Sequence, residues 1–452
     1  MDDGFDHYTA ATNPILSITS FLFLLGRKQL QKLYKEHKKK SDGCKNMFVQ
    51  FTSLTDVFRE LCDLDTNDES NSVNIAAAVE PLKGMMPLDI IIPVKKSLTI
   101  SLPALDMNNS VFGSDLPTIS GLVDEAKIFK STTKPKKVIL VGSDGIEYPF
   151  LFKCQHDLRK DALMMEFAAM LNHLLFKDPE SRRRKLYIRT FAVVPLTKDS
   201  GILEWVKHTR GLRSILDDLY FSCGSFGRKR TDSLIRRMYN HCELGKKSEM
   251  LKTKILPMLP PVFHKWFLTT FPEPTAWFRA RVAYARTTAV WSMVGHTVGL
   301  ADRHGENILF DSTSGDCVHV DFDCVFDSQL LQPMHEMVPF SWFAKPQNMI
   351  GGLGITGYEG IFKRVCEITL TVLRTHRETL MSILESIIHD PFVVEWRYTR
   401  ARQLQEPEII RCINAKLVVN DASTEDQTSR LIADAVSIKH LAGMFDGWKP
   451  WY

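Results

Sequence analysis

Apolar residues recur along this chain with two different periods, and the changes of period divide it into segments. Residues 14 to 62 carry Leu and Phe at helical intervals, which predicts a helical beginning. Asp63 to Ser72 is polar and acidic and reads as a loop. Further on the period shortens. Val138-Ile-Leu-Val141, the turn Gly142-Ser-Asp-Gly145 and Ile146 to Lys153 predict a β-hairpin, because Asp-Gly tolerates the backbone a tight turn needs. Pro149 cannot donate to a ladder, so an edge position or a bulge is expected there. Asp157 then opens a helix with Met164, Ala168, Leu171 and Leu175 on one face. Phe191-Ala-Val-Val-Pro-Leu196 is an apolar strand. Thr275 to Val298, Tyr358 to His376 and Glu378 to His389 read as helices, the last ended by Pro391. Near the C-terminus Leu431, Ala435, Ile438, Ala442 and Phe445 define one helical face, with Gly447 as its cap.

Composition narrows the class. A chain of 452 residues with 44% hydrophobic and 24% charged residues can bury two or more cores, which excludes a largely disordered protein. A net charge of +4 is too small for this length to argue for nucleic acid. Lys35-Glu-His-Lys-Lys-Lys40 reads as a solvated helix end. The 9 Cys include no Cys-x-x-Cys pair, which fits reduced thiols better than disulfides or a zinc site. Ile15 to Leu25 is much shorter than the roughly 20 residues that span a bilayer, and Met1-Asp-Asp lacks the basic flank of a signal peptide. No targeting segment is expected.

The chemistry concentrates in one segment. It reads Gly299-Leu-Ala-Asp302-Arg-His304-Gly-Glu-Asn307-Ile-Leu-Phe310, then a polar turn Asp311 to Asp316, then Cys317-Val-His-Val-Asp321-Phe-Asp323. Two short apolar strands flank the turn, so a hairpin would return Asp321 beside Asn307. A carboxylate and an amide oxygen there suit magnesium ions bridging ATP phosphates, and Asp302 remains to orient and deprotonate a hydroxyl. Protein kinases likewise place a base Asp five positions before a metal-binding Asn, with a second metal-binding Asp after a hairpin. Asp and Asn are also ordinary turn formers, but that reading does not explain the whole ordered set. Gly352-x-Gly354-x-x-Gly357 matches a nucleotide-binding glycine pattern, yet it follows no strand and comes after these residues, so it is read as backbone at the end of an activation segment.

The order Asp302-Arg303-His304 reverses the His-Arg-Asp of ordinary protein kinases. With this order, and with the runs His304 to Ser312 and Gly315 to Phe322, the chain resembles the phosphatidylinositol 3-kinase-related protein kinases, most closely their ATR-type checkpoint branch, over roughly residues 80 to 452. The resemblance implies an α+β fold with a two-lobed catalytic domain. It assigns residues 1–87 to the end of a helical FAT-like region, 88–206 to a small lobe and hinge, 207–403 to a large lobe, 404–420 to a regulatory linker and 421–452 to a FATC domain. It also implies that the chain is part of a longer product.

Further site residues come from the same resemblance. Lys153 would hold the nucleotide phosphates, steadied by Asp161 of the run Asp157-Leu-Arg-Lys-Asp161; on its own, Lys153 reads more readily as a solvent-facing Lys, and the resemblance reverses that. Ser131, in the loop Lys130 to Lys137, would lie nearest the phosphates, although a plain polar loop reads the same way. Glu204, Trp205 and Val206 would form the hinge, with backbone groups bonding adenine and Trp205 packing on it; core packing alone also accounts for a Trp. His304 would stabilise charge on the transferring phosphoryl group.

Four departures from the family pattern stand out. Asp323 replaces a Gly or Asn, Ala301 a frequent Gly, Phe191 a frequent Tyr, and Ser341-Trp-Phe an Arg-Leu-Thr. None removes a proposed metal ligand or the base. The leading function is a Ser/Thr protein kinase using ATP and magnesium, with manganese as the alternative ion. A phosphoinositide lipid kinase is the second reading and a non-catalytic scaffold the third. Asp321 to Ala344 contains no Lys or Arg to hold an anionic head group, which argues against the lipid reading. The resemblance implies substrates with Ser/Thr-Gln sites, an ATRIP-type obligate partner, activator proteins, indirect recruitment to protein-coated single-stranded DNA, no membrane partner and a nuclear location.

Overall fold

The computed structural model describes residues 42–64, 71–79, 84–94, 116–131, 133–224, 228–326, 338–340, 357–389, 406–418 and 422–444. The chain divides into two units, the first holding residues 1–165 and 190–206 and the second 166–189 and 207–452. Expectations placed on Ile15 to Leu25, Lys35 to Lys40, Ser341 to Phe343, Gly352, Gly354, Phe445 and Gly447 lie outside the described residues. No helix among the described residues is long and apolar enough to cross a membrane.

In the first unit, helix α1 (Asp42–Asp63) is followed by β1 (Ser72–Asn74), β2 (Ile119–Leu122), β3 (Glu125–Ile128), β4 (Lys136–Gly142) and β5 (Glu147–Cys154). Helix α2 (Arg159–Lys177) begins in this unit and crosses into the second, and β6 (Val193–Pro195) and β7 (Ser200–Glu204) complete the sheet. The strand order is β1-β3-β4-β5-β7-β6, with β2 also on β4. The predicted hairpin is β4–β5, pairing Val141 with Glu147 across a turn in which Gly145 has φ 74°. Pro149 corrects the expectation of an edge, because β5 lies inside the sheet between β4 and β7. Its ladder to β7 begins one residue later, at Phe150 opposite Glu204, so the missing N–H costs no bond there. The Pro149 carbonyl instead accepts from Trp205 N at 2.9 Å.

Helix α1 packs into the sheet's own core. Leu54, Phe58 and Leu61 join Val138, Leu140, Phe150, Phe152 and Ile202 in one buried cluster, with the Phe58 and Phe152 rings edge to face at 5.1 Å. Buried Lys136 reaches the helix end, where its Nζ donates to Cys62 O at 2.8 Å and satisfies one of the last carbonyls.

The second unit opens with β8 (Thr209–Gly211) and α3 (Leu212–Ser222), and continues through α4 (Arg228–Asn240), α5 (Phe263–Thr270) and α6 (Pro274–Val298). The hairpin β9 (Ile308–Asp311) and β10 (Cys317–His319) pairs with β8 in a small sheet of order β10-β9-β8. Helices α7 (Ile361–Thr375), α8 (Arg377–His389), α9 (Glu406–Leu417), α10 (Thr424–Ala435) and α11 (Ile438–Ala442) follow. Helix α6 forms the centre, and Ala289, Val290, Met293 and Val294 are fully enclosed. The tail differs from expectation. One predicted helical face becomes two helices broken at Val436-Ser437, and Gly443 caps the second. Leu431, Ala435 and Ala442 are buried as the periodicity requires.

Candidate active site

The turn from α6 into Asp302 is built by a helix stop. Gly299 adopts φ 62°, and Leu300 N donates to Gly295 O at 2.8 Å, the bond pattern that ends a helix through a left-handed residue. Ala301 N then donates to Cys324 O at 2.8 Å, so the segment before Asp302 is tied to the one after Asp321. Asp302 and Asp321 both have left-handed backbones, with φ 57° and 67°. Such a conformation is costly for a side-chain-bearing residue and persists only when its surroundings impose it. Asp tolerates it better than most residues, which is one reason this residue type can stand at both positions.

The hairpin register puts Asp321 where the sequence predicted. His319 pairs with Ile308, and Val320 N donates to Asn307 O at 3.0 Å, so Asp321 leaves the ladder next to Asn307. Asn307 is buried, and its Nδ2 donates to Asp302 O at 2.9 Å, which orients the amide with Oδ1 as its acceptor end. His304 is half-buried. Its Nδ1 accepts from Glu306 N at 3.2 Å, leaving the proton on Nε2. Burial holds its pKa below the usual imidazole range despite the opposing charges of Asp302 and Glu306.

Arg303, between the proposed base and His304, went unassigned in the sequence. It is buried, and its guanidinium donates to Ala301 O at 3.0 Å, to Val320 O at 2.7 Å and to Asp321 O. It also lies 5.6 Å from the ring centre of Phe322, which stacks on Trp291 of α6 at 5.8 Å. One side chain thus joins the loop of Asp302 to the segment that carries Asp321. The hairpin turn is fixed as well. Asp311 accepts from Thr313 N at 2.6 Å, from Ser314 N at 3.0 Å and from Arg189, while Tyr187 donates to Asp316 at 2.5 Å. Burial opposes the Asp311 charge, but the hydrogen bonds from Thr313 and Arg189 keep its carboxyl below the usual range.

Ser131, Lys153, Asp161, Glu204, Trp205 and Val206 lie in the first unit. Ser131 is exposed in the β3–β4 turn, where its carbonyl accepts from Lys134 N at 3.2 Å. Lys153 sits on β5 opposite Gly201 and is half-buried. Asp161 is fully buried, and neither carboxylate oxygen has a hydrogen-bond partner among the described residues. His156 Nε2 is 3.9 Å from Asp161 Oδ2, a neighbour that sequence reasoning did not assign. Asp161 sits in the first turn of α2, where the helix's N-terminal end favours an acidic side chain. At the last residue of β7, Glu204 Oε2 accepts from Ala192 N at 2.9 Å. The Trp205 ring stacks on Phe129 at 5.6 Å, and Lys137 Nζ lies 4.6 Å from its centre. Phe129 thereby links the Ser131 turn to the residue after β7. Of the departures, Phe191 and Ala301 are buried and Asp323 is exposed.

Against this geometry, a sequence model of phosphatidylinositol 3- and 4-kinases matches residues 147–397, more than half of the chain. The chain belongs to the phosphatidylinositol 3- and 4-kinase family. A FATC domain model matches residues 422–452. This member of the family is 63% identical over 91% of its length to the serine/threonine-protein kinase ATR of Arabidopsis thaliana, and 39% identical over 88% to the protein kinase rad3 of Schizosaccharomyces pombe. It spans 16% and 17% of those two relatives. A solved structure, the FAT and kinase domain of CtTel1, superposes with a TM-score of 0.81 at 28% identity, covering 94% of this chain and 30% of that one.

The donor set fits a hard divalent cation. Asn307 presents an amide oxygen and Asp321 a carboxylate, with neither thiolate nor imidazole among the proposed ligands, a chemistry that favours magnesium or manganese over softer metals.

Proposed function

We propose that this chain is the catalytic part of a Ser/Thr protein kinase that transfers the γ-phosphate of ATP to Ser/Thr-Gln sites in DNA-damage and replication-stress signalling. The observation that carries the reading is the Asp302–Asn307–Asp321 hairpin, with both carboxylate residues in left-handed backbone and clamped by Arg303. The kinase names of the ATR and rad3 relatives support the substrate class. A magnesium ion held by Asn307 and Asp321 would neutralise phosphate charge. Asp302 orients the attacking hydroxyl and takes its proton as the new O–P bond forms and the bond from the γ-phosphorus to the departing ADP breaks. His304, neutral and protonated at Nε2, offers a hydrogen bond to the transferring group without adding a charge beside Arg303. Lys153 holds the phosphates, and Glu204 to Val206 bind the base. Nuclear location, an ATRIP-type partner, activator proteins and recruitment to protein-coated single-stranded DNA belong to this reading. Residues 88–206 and 207–403 serve as the catalytic lobes, 404–420 as a regulatory linker and 421–452 as the FATC domain.

The name of the matching family keeps phosphoinositides as the second reading. Asp321 to Ala344 carries no Lys or Arg, so an anionic head group meets no permanent positive charge there. A peptide-array phosphorylation assay, run beside a phosphatidylinositol assay on the same preparation, separates the two. The protein-kinase reading requires labelled Ser-Gln peptides and no lipid turnover; lipid turnover with inert peptides reverses it.

A further inference from the structure

Behind the hairpin, residues of the second unit line a small, partly open cavity of about 20 Å³. Its wall includes Thr288, Trp291 and Ser292 of α6, Arg303, His319 of β10 and Phe340. Two polar atoms on these residues, Trp291 Nε1 and His319 Nδ1, are buried and have no hydrogen-bond partner among the described residues, and Thr288 Oγ1 beside them has only the weak Cys317 thiol. All three residues are more than nine-tenths buried. Orphaned polar atoms are rare in folded proteins, and two on one small cavity, with the Thr288 hydroxyl still able to accept beside them, point to a shared ligand. The space admits a single water, for which about 10–15 Å³ suffices, and three polar partners are the usual number for a buried one.

We propose that one buried water occupies this cavity, joins α6 to the catalytic hairpin, and makes His319 a positioning residue for Asp321. The proposal rests on the phosphoryl-transfer reading of the Asp302–Asn307–Asp321 hairpin. The indole N–H can only donate, so it gives its hydrogen to the water oxygen. The two water hydrogens then go to His319 Nδ1 and Thr288 Oγ1. His319 and Trp291 are stacked, with ring centres 4.6 Å apart and planes 17° from parallel. Stacking fixes the plane of the imidazole but does not distinguish its two edges, whereas a hydrogen bond at Nδ1 does. The link matters because α6 runs through Gly299 into Asp302, while β10 runs through Val320 into Asp321. A bridge from Thr288 and Trp291 to His319 therefore sets the spacing between the helix that delivers the base and the strand that delivers the metal-binding carboxylate.

The test uses the full chain and two variants of opposite character. His319→Phe keeps a ring for Trp291 and loses the polar atom; His319→Asn keeps an acceptor near the Nδ1 position and loses the ring. The readout is Mn2+ affinity by electron paramagnetic resonance in the presence of ADP. Losing a group that orients a metal ligand typically weakens metal binding about 10-fold or more, so His319→Phe should lose about 10-fold while His319→Asn stays much closer to wild type. Equal losses, or a worse His319→Asn, overturn the proposal in favour of stacking alone. Density for one ordered water within bonding distance of all three atoms is expected in a high-resolution crystal structure of the unaltered protein. A dry cavity overturns the proposal even if neither variant folds. Asp321→Asn separates this idea from the underlying reading: undiminished Mn2+ binding in that variant refutes the metal site itself, whereas the water density is independent of it.

Discussion

The guanidinium of Arg303 donates to the main-chain carbonyl of Asp321, and to that of Val320 at 2.7 Å. Asp302, the residue before Arg303, supplies the proposed base, so one planar side chain sets the spacing of base and metal ligand. Arg303→Lys should therefore be severe although it keeps the charge. An ammonium cannot reproduce a rigid fork that also reaches Ala301 O. Steady-state kinetics should show turnover reduced by about 10-fold to 100-fold, the range for lost outer-shell orientation of a metal ligand. Urea unfolding should show about 1–3 kcal/mol of lost stability from buried carbonyls left without a donor.

Gly315 has φ 83°, and a side chain there would collide with the main-chain carbonyl of Ala280 on α6. Gly315→Ala should destabilise the protein by about 1–3 kcal/mol through backbone strain and displacement of the β9–β10 turn. Denaturant titration measures the loss, and an unchanged midpoint would contradict the close approach of turn and helix.

Much of this arrangement was legible in the sequence, because hairpin register follows from strand period and turn length alone. Asn307 and Asp321 could be paired from spacing, and α6 from its periodicity. Arg303 was passed over because one charged residue between two site residues carries no periodic signal, and its three acceptors are main-chain carbonyls that no side-chain pattern reveals. Pro149 misled for a related reason. A missing N–H disqualifies a strand residue only where the ladder needs that donor, and the β5–β7 ladder starts one residue later. The tail was read as one helix because Val436 and Ser437 do not interrupt the apolar spacing; the break depends on where α10 and α11 dock.

That docking is specific. Arg374 of α7 donates to Ala422 O at 2.9 Å and to Gln427, and Gln427 Nε2 donates to Lys416 O at 2.7 Å. Gln427 is buried, so Arg374→Met leaves its acceptor oxygen without a donor and should cost about 1–3 kcal/mol. Hydrogen exchange should quicken first in α10. Equal protection in both proteins would show that apolar contacts alone hold the tail.

His296, near the end of α6, bonds to Pro339 O at 3.3 Å through Nδ1. Burial, with a contribution from Lys416, lowers its pKa to about 4. The unfolded chain binds a proton at His296 near pH 6.5 and the folded chain does not, so its contribution to stability is complete above about pH 6.5 and falls as pH drops toward 4. His296→Gln should flatten the stability profile in that window. A wild-type profile already flat between those values would contradict the assignment.

The most direct test of the central claim is the single-turnover rate of phosphoryl transfer from ATP to a Ser-Gln peptide, compared between the unaltered chain and Asp302→Asn at saturating magnesium. Loss of a positioned general base predicts a rate at least about 100-fold lower, with nucleotide affinity and melting temperature preserved. Transfer by Asp302→Asn at close to the wild-type rate would contradict the account.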